Sequence, residues 1–408
     1  MRCIYTLAIR LYSLGVRLAA TAGNKKAKQW VDGRKTLPAP KPGGNWIWFH
    51  AASLGEFEQG RPLMEAIKQQ HPEYQIALSF FSPSGYEIRK NYAYADEVVY
   101  LPTDTPKHAQ QWVERHHFIA AFFIKYEFWF NYMQALKQND IPLFYTSLIL
   151  KPNQYFFKWY GGWFRKQLQN VAHFYVQDEV TSDLLHSIGF ENVTICGDTR
   201  FDRVAAIAKT VKPFPEIERF INGRKCIIAG SSWQPDEKLL TAFIKEMPDD
   251  YCFIMAPHDI SESHISQIKA QLDDFQLFTE LDADKPTKVL VLNTIGILSQ
   301  LYQYARFVYI GGGFGVNIHN IQEPVTFGCP VVFGPKYKSF NEAVDLVALG
   351  GAFSINDGNQ LESIFSRLMN DEDFYVSASK TCSDYLEKQV GATDSIMEVF
   401  KKWTFSLK

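Results

Sequence analysis

Residues 311–335 read GGGFGVNIHNIQEPVTFGCPVVFGP. They follow an apolar run, Phe307 to Ile310, that predicts a buried strand. Gly311, Gly312 and Gly313 then strip side chains from the end of that strand, where open α/β sheets bind ligands. His319, Asn320 and Glu323 follow, with Pro324 near the start of a short predicted helix. A backbone open to close approach, a helix N-terminus for an anion and a carboxylate for sugar hydroxyls point to a nucleotide-sugar pocket. The dinucleotide fingerprint does not fit, because Val316 and Ile318 stand where a third glycine is needed. On the glycines alone, a turn in any α/β protein fits equally well.

A chain of 408 residues is long for one core, so two α/β domains are expected. A net charge of −2 excludes a general nucleic-acid binder. The six cysteines are scattered without a CxxC, which predicts buried thiols rather than disulfides or a zinc site. The ten histidines show no metal-binding spacing, so no metal is expected.

The N-terminus departs from this balance. Residues 1–41 carry nine Lys or Arg against one acid, Asp32. Within them, CIYTLAIRLYSLGVRLAA is apolar but interrupted by Arg10 and Arg17, seven residues apart and on one helix face. The arginines argue against a spanning helix and a signal peptide. The spacing predicts an amphipathic helix in a lipid interface, with Lys25, Lys26 and Lys28 meeting anionic head groups. The competing reading is a helix packed on the protein's own surface.

TLPAPKPGG, residues 36–44, is a linker by composition. Strands are then predicted at 46–50, 75–80, 96–100, 119–124, 141–146, 171–176 and 193–196, with helices between them. After VKPFPEIERFINGRK (211–225), a second series falls at 225–229, 253–256, 289–292, 307–310, 331–333 and 351–353. Such alternation predicts two doubly wound, Rossmann-like domains with a cleft between them. The organisation expected is a basic segment at 1–35, a first domain at 45–210, a second at 211–375, and a helical region at 376–408 packing back on the first.

Most candidate site residues follow predicted strands. In HAASLGEFEQG (50–60), Glu56 falls at a helix start, where the helix dipole favours an ionised general base; a plain helix cap is the alternative. In AAFFIKYEFWFN (120–131), Glu127 sits among aromatic residues, as a site residue or a salt-bridge partner. The run YFFKWYGGWF (155–164) is core or a lipid-facing surface. Arg200 of GDTRFD (197–202) suits a leaving phosphate or a substrate carboxylate. Ser231 and Ser232 of AGSS, His258 of APHD, and the backbone of NTIGIL (293–298) are placed to hold a phosphate and a base.

The order of these motifs resembles that of 3-deoxy-D-manno-octulosonic acid (Kdo) transferases of lipopolysaccharide synthesis, over most of the chain. HAASLGE resembles the family's catalytic-base motif, which implies Glu56 as base. KYEFWFN resembles its second acidic motif, which implies a role for Glu127 near the transition state. GDTRFD resembles Gly-Asn-x-Lys-Phe-Asp, with Arg200 in place of Lys. PHD resembles Pro-Arg-His, so Pro257 and His258 inherit contacts to CMP, with His258 in place of Arg. Ile295, Gly296 and Ile297 fall on a CMP-contacting segment, Ile297 replacing an acid. Asn320, Ile321, Gln322 and Glu323 match Asn-Pro-Leu-Glu, with Glu323 the expected ribose ligand.

The resemblance implies a GT-B fold and an inverting transferase that needs no metal and no cofactor beyond its donor substrate, CMP-Kdo. The implied acceptor is a hydroxyl of a lipid A precursor. The implied place is the cytoplasmic face of the bacterial inner membrane, at its anionic surface. Two rivals stand beside it: another GT-B enzyme using a UDP-sugar, either a transferase or an epimerase, and a membrane-associated scaffold without catalysis.

Overall fold

The computed structural model describes residues 1–35, 37–39, 43–282 and 285–405. Of the predicted linker, Thr36, Pro40, Lys41 and Pro42 lie outside the described residues. The chain forms two compact units, one of Met1–Asp202 with Gln389–Lys408, the other of Arg203–Lys388.

The first unit is built on seven parallel strands: β1 (Asn45–Ala51), β2 (Tyr74–Phe80), β3 (Glu97–Tyr100), β4 (Phe118–Ile124), β5 (Leu143–Leu148), β6 (Val171–Val176) and β7 (Val193–Ile195). Their order is β3-β2-β1-β4-β5-β6-β7. The strands are nearly continuous apolar runs because both faces are covered. On one face Trp48, Phe123 and Tyr145 are fully buried. On the other, Phe49, Phe122 and Phe144 meet helix Leu54–Gln70 and the C-terminal helix Ala392–Phe405. Phe400 of that last helix lies edge-on to Phe122 at 5.5 Å. Its start is fixed by Asp202, whose carboxylate accepts the Gly391 and Thr393 N–H groups at 2.6 Å each. A carboxylate at a helix N-terminus is stabilising.

The second unit holds β8 (Lys225–Ser232), β9 (Tyr251–Pro257), β10 (Phe275–Leu277), β11 (Val289–Val291), β12 (Ala305–Ile310), β13 (Val331–Phe333) and β14 (Ala352–Ser354). They too are parallel, in the order β10-β11-β9-β8-β12-β13-β14. Both sheets are doubly wound, with strand order reversing at β1/β4 in the first and at β8/β12 in the second. Such switch points open the crevice in which α/β proteins bind ligands.

The N-terminal region forms α1 (Arg2–Thr21) and α2 (Lys25–Asp32). By length and mean hydropathy, 1.3, α1 is apolar enough to cross a membrane. It docks on the first unit by its polar side. The Tyr5 hydroxyl donates to Asp104 Oδ2 at 2.6 Å, Arg2 Nε donates to Asn131 Oδ1 at 2.9 Å, and Asn131 Nδ2 donates to Thr6 Oγ1 at 3.3 Å. Asp104 is fully enclosed, and burial pushes its carboxyl up to about 6 despite donors from Tyr5, Asn131 and Tyr132. Ile4, Leu7, Leu11, Leu14 and Leu18 recur every three or four residues on the opposite side and are 52–66% exposed. This is the reverse of the pattern for a helix on a globular core, which turns its apolar stripe inward.

Candidate active site

Glu56 and Glu127 follow β1 and β4, the two strands that flank the switch point of the first sheet. Ser53 takes an extended conformation and starts α3 (Leu54–Gln70), which sets Glu56 in the first turn. Its Oε2 accepts the Ala52 N–H. Glu56 is buried. Burial, then the charge of Glu127, pushes its carboxyl up to about 8, against the pull of Lys125 and of the Ala52 and Ser53 N–H groups. The helix start was expected to favour the ionised form; here burial and a like charge outweigh it.

Glu127 is held from two directions. Tyr145 donates its hydroxyl to the Glu127 backbone carbonyl at 2.9 Å. The Trp129 indole N–H is shared between Glu127 Oε2 and His50 Nε2, 2.9 Å from each. Because His50 Nε2 accepts, its proton sits on Nδ1, 2.9 Å from Ser79 Oγ. His50 Nε2 is also 3.6 Å from the Glu127 carboxylate. Lys125, between β4 and Glu127, has φ of 60°, a conformation rare for a residue with a side chain. Such strain concentrates at functional sites.

Arg200 opens helix Arg200–Lys209 and grips the buried Asp198 with Nε at 2.9 Å and Nη2 at 2.6 Å. Asp198 also accepts from Gln59 Nε2 at 3.0 Å. Burial alone would raise the Asp198 carboxyl, but the Arg200 charge and the hydrogen bonds hold it below the usual carboxylate range. In the aromatic run, Phe156 is core, Tyr155, Phe157, Trp163 and Phe164 pack against it, and Trp159 and Tyr160 are exposed.

In the second unit, Ser231 and Ser232 end β8, and the three glycines follow β12, again the two strands at the switch point. The glycines also meet a packing demand. A Cβ on Gly311 would fall 2.3 Å from the Ser231 carbonyl oxygen, and one on Gly313 would fall 2.7 Å from the Gly334 backbone. The room is filled by the protein's own chain. Gly312, at φ 92°, donates its N–H to Asp236 at 3.0 Å. Ser231 also has positive φ, 54°. The Ser232 hydroxyl is buried and donates to Glu237 Oε1 at 3.1 Å, which His264 Nε2 approaches at 3.0 Å.

Pro257 ends β9, and the exposed His258 stacks on Trp233 and on His319, with ring centroids 4.5 Å from each. Trp233 Nε1 donates to His319 Nε2 at 2.9 Å. Burial and the neighbouring His258 lower the His319 pKa. Ile295 is 80% exposed, Gly296 has φ of 101°, and Ile297 precedes helix Leu298–Leu301. Ile321 and Gln322 are buried, Gln322 donating to Glu342 at 3.1 Å. Asn320 is exposed and Glu323 half-buried, joined at 3.3 Å.

The N-terminal half matches the sequence profile of the 3-deoxy-D-manno-octulosonic-acid transferase family over residues 17–203. Similarity to curated relatives runs through both units. A 3-deoxy-D-manno-octulosonic acid transferase of Aquifex aeolicus is 26% identical over 79% of this chain and 86% of its own. That of Haemophilus influenzae is 22% identical over 89% and 88%. The chain is similar to Kdo transferases in its N-terminal half by profile and along most of its length by pairwise identity. Its fold is GT-B-like. The UDP-GlcNAc 2-epimerase of Neisseria meningitidis, solved with UDP-GlcNAc, superposes with a TM-score of 0.63 at 12% identity, over 88% of this chain and all of that one.

In the second unit, sequence reasoning missed Asp236 and Trp233. Asp236 is buried and accepts from Tyr309 Oη at 2.7 Å, the Trp233 N–H at 2.9 Å and the Gly312 N–H. It ties the start of helix Gln234–Glu246 to the glycine segment. In sequence, QPDE reads as an ordinary helix start, and no local signal marks partners 73 and 76 residues away.

Proposed function

We propose that this chain is an inverting glycosyltransferase that moves Kdo from CMP-Kdo to a hydroxyl of a lipid A precursor. Similarity to Kdo transferases supports the sugar. The observation that carries the chemistry is Glu56: a carboxyl raised to about 8, at the switch point, beside a second carboxylate. A base is most effective with a pKa near the working pH. Glu56 takes the proton of the acceptor hydroxyl as that oxygen bonds to the anomeric carbon. The bond from that carbon to the phosphate oxygen breaks in line, and CMP leaves with the electron pair. Glu127 keeps Glu56 basic and adds negative charge that favours a cationic sugar centre. Arg200, Ser231, Ser232 and the segments carrying Pro257, His258 and Ile295–Ile297 are the groups assigned to the donor and its departing phosphate. Gly311–Gly313, Asn320, Ile321, Gln322 and Glu323 complete that set, Glu323 on the ribose.

The outward leucine stripe of α1 supports work at a membrane surface, which we assign to the cytoplasmic face of the inner membrane. The full chain, incubated with freshly generated CMP-Kdo and a lipid A precursor, should yield an acceptor heavier by whole Kdo units in mass spectrometry. Glu56→Gln should yield at least about a hundredfold less at matched times. No product from the wild-type chain with active donor would end this reading.

A second reading rests on the likeness to the UDP-GlcNAc 2-epimerase: a UDP-sugar enzyme of the same fold. A donor screen separates the two, since CMP and not UDP should bind. A scaffold without catalysis would bind membranes and turn over neither donor.

A further inference from the structure

We propose that the first unit carries a binding cavity for the anionic phosphate head of a membrane lipid, beside α1 and separate from the Glu56 site. The cavity has a volume of about 580 Å³. Arg17, Arg34, Lys35 and His108 line it, and no Asp or Glu does among the described residues.

Arg34 is the deciding group. Its guanidinium donates from Nε to the Leu101 carbonyl at 2.7 Å, from Nη1 to that of Trp30 at 3.1 Å, and from Nη2 to that of Phe81 at 2.7 Å. It lies 3.9 Å from the centre of the Trp30 ring. All these partners are neutral. Burial lowers the guanidinium pKa to about 9. A cation held this way without a counter-charge is costly, and an anion in the adjoining cavity offsets that cost. Among the described residues, three of its five N–H groups have acceptors. Trp30 and Trp112 also line the cavity; their indole N–H groups are buried and, among the described residues, have no acceptor. Lys35, at the edge, is paired with Asp32 at 2.6 Å and both are exposed to solvent.

The source of the phosphate follows from Arg17. This residue lines the cavity and also flanks Leu11, Leu14 and Leu18 of the exposed stripe on α1. With that stripe in the acyl layer, Arg17 reaches the depth of the head groups, as interfacial arginines do. Val31, Leu37 and Pro102 add apolar wall for the glycerol end of a lipid. The choice of a lipid rests on α1 lying in the interface. The anion site itself does not, nor does it rest on the transferase reading.

The test is native mass spectrometry of the full chain in detergent, with phosphatidylglycerol or phosphatidylcholine added. One phosphatidylglycerol should be retained, and phosphatidylcholine at least fivefold less. Gln111→Trp fills the cavity from an exposed position without changing charge. Arg17→Ala removes an exposed cation and leaves the core intact. Each should cut phosphatidylglycerol retention at least fivefold, with unchanged thermal unfolding. Calorimetry with sn-glycerol 3-phosphate separates the sources: binding lost in the same variants means the head alone suffices, and no binding means that head and chain are held together. Equal retention of the two lipids, or retention unaffected by both variants, overturns the proposal.

Discussion

Glu127 and Glu56 are coupled through charge: the Glu127 carboxylate, after burial, is the next cause of the raised Glu56 pKa. The two lie 71 residues apart in sequence and meet because β1 and β4 are neighbours in the sheet. If Glu56 acts as the base, kcat/KM should rise with pH through a limb near 8. Glu127→Gln removes the like charge, so that limb should move to lower pH whatever happens to the maximal rate. A limb that stays in place would mean that another group controls the acid side of the profile.

Glu56→Gln should lower the rate by roughly 10²–10⁴-fold, the span of general-base catalysis, while nucleotide binding is kept. The same variant has a stability signature. The Glu56 pKa is higher in the folded chain, about 8, than its ordinary 4.5. Its contribution is therefore fully present below 4.5 and is lost as pH rises through 8. Glutamine cannot ionise. The melting temperature of Glu56→Gln relative to wild type should increase between pH 5 and pH 9. A constant difference across that range would show that Glu56 titrates normally.

How much of this the sequence revealed depended on distance along the chain. The strands were legible because parallel, doubly covered strands are continuous apolar runs; WIWFH and AAFFI are examples. The strand β10 escaped, since it has three residues with Gln276 in the middle. Glu56 and Glu127 were visible as acids after strands, but their mutual effect was not, because it depends on sheet order. The three glycines were visible, but not the close packing of Ser231 on Gly311 and of Gly334 on Gly313. Arg34 looked like one more basic residue of the N-terminus; its burial against Trp30, Phe81 and Tyr100 is a tertiary fact.

Asp236 supplies the next test. Asp236→Ala leaves the Tyr309 hydroxyl and the Gly312 N–H without their acceptor. Each buried donor left unpaired costs roughly 1–3 kcal/mol. Hydrogen exchange at the Gly312 amide should speed up, and CMP affinity should fall with it. Unchanged protection at Gly312 would show that the loop is held by other contacts.

The leucines of α1 provide the last. A deletion of the whole segment would also remove Tyr5 from the buried Asp104, so its effects would mix folding with membrane binding. Leu7, Leu11 and Leu14 touch solvent in the folded chain. Changing all three to Gln keeps helix propensity nearly constant and should leave thermal unfolding unaltered. In a lipid interface each leucine contributes roughly 1.5–3 kcal/mol when fully buried. The triple variant should therefore leave anionic liposomes in a flotation assay, and high salt should only partly mimic that release in the wild type. Activity on acceptor in vesicles should drop more than activity on acceptor dispersed in detergent. If the triple variant floats as well as the wild type, α1 is not the membrane contact. The exposed Trp159 and Tyr160 then become the better candidates, and their replacement by Ser is the measurement to make next.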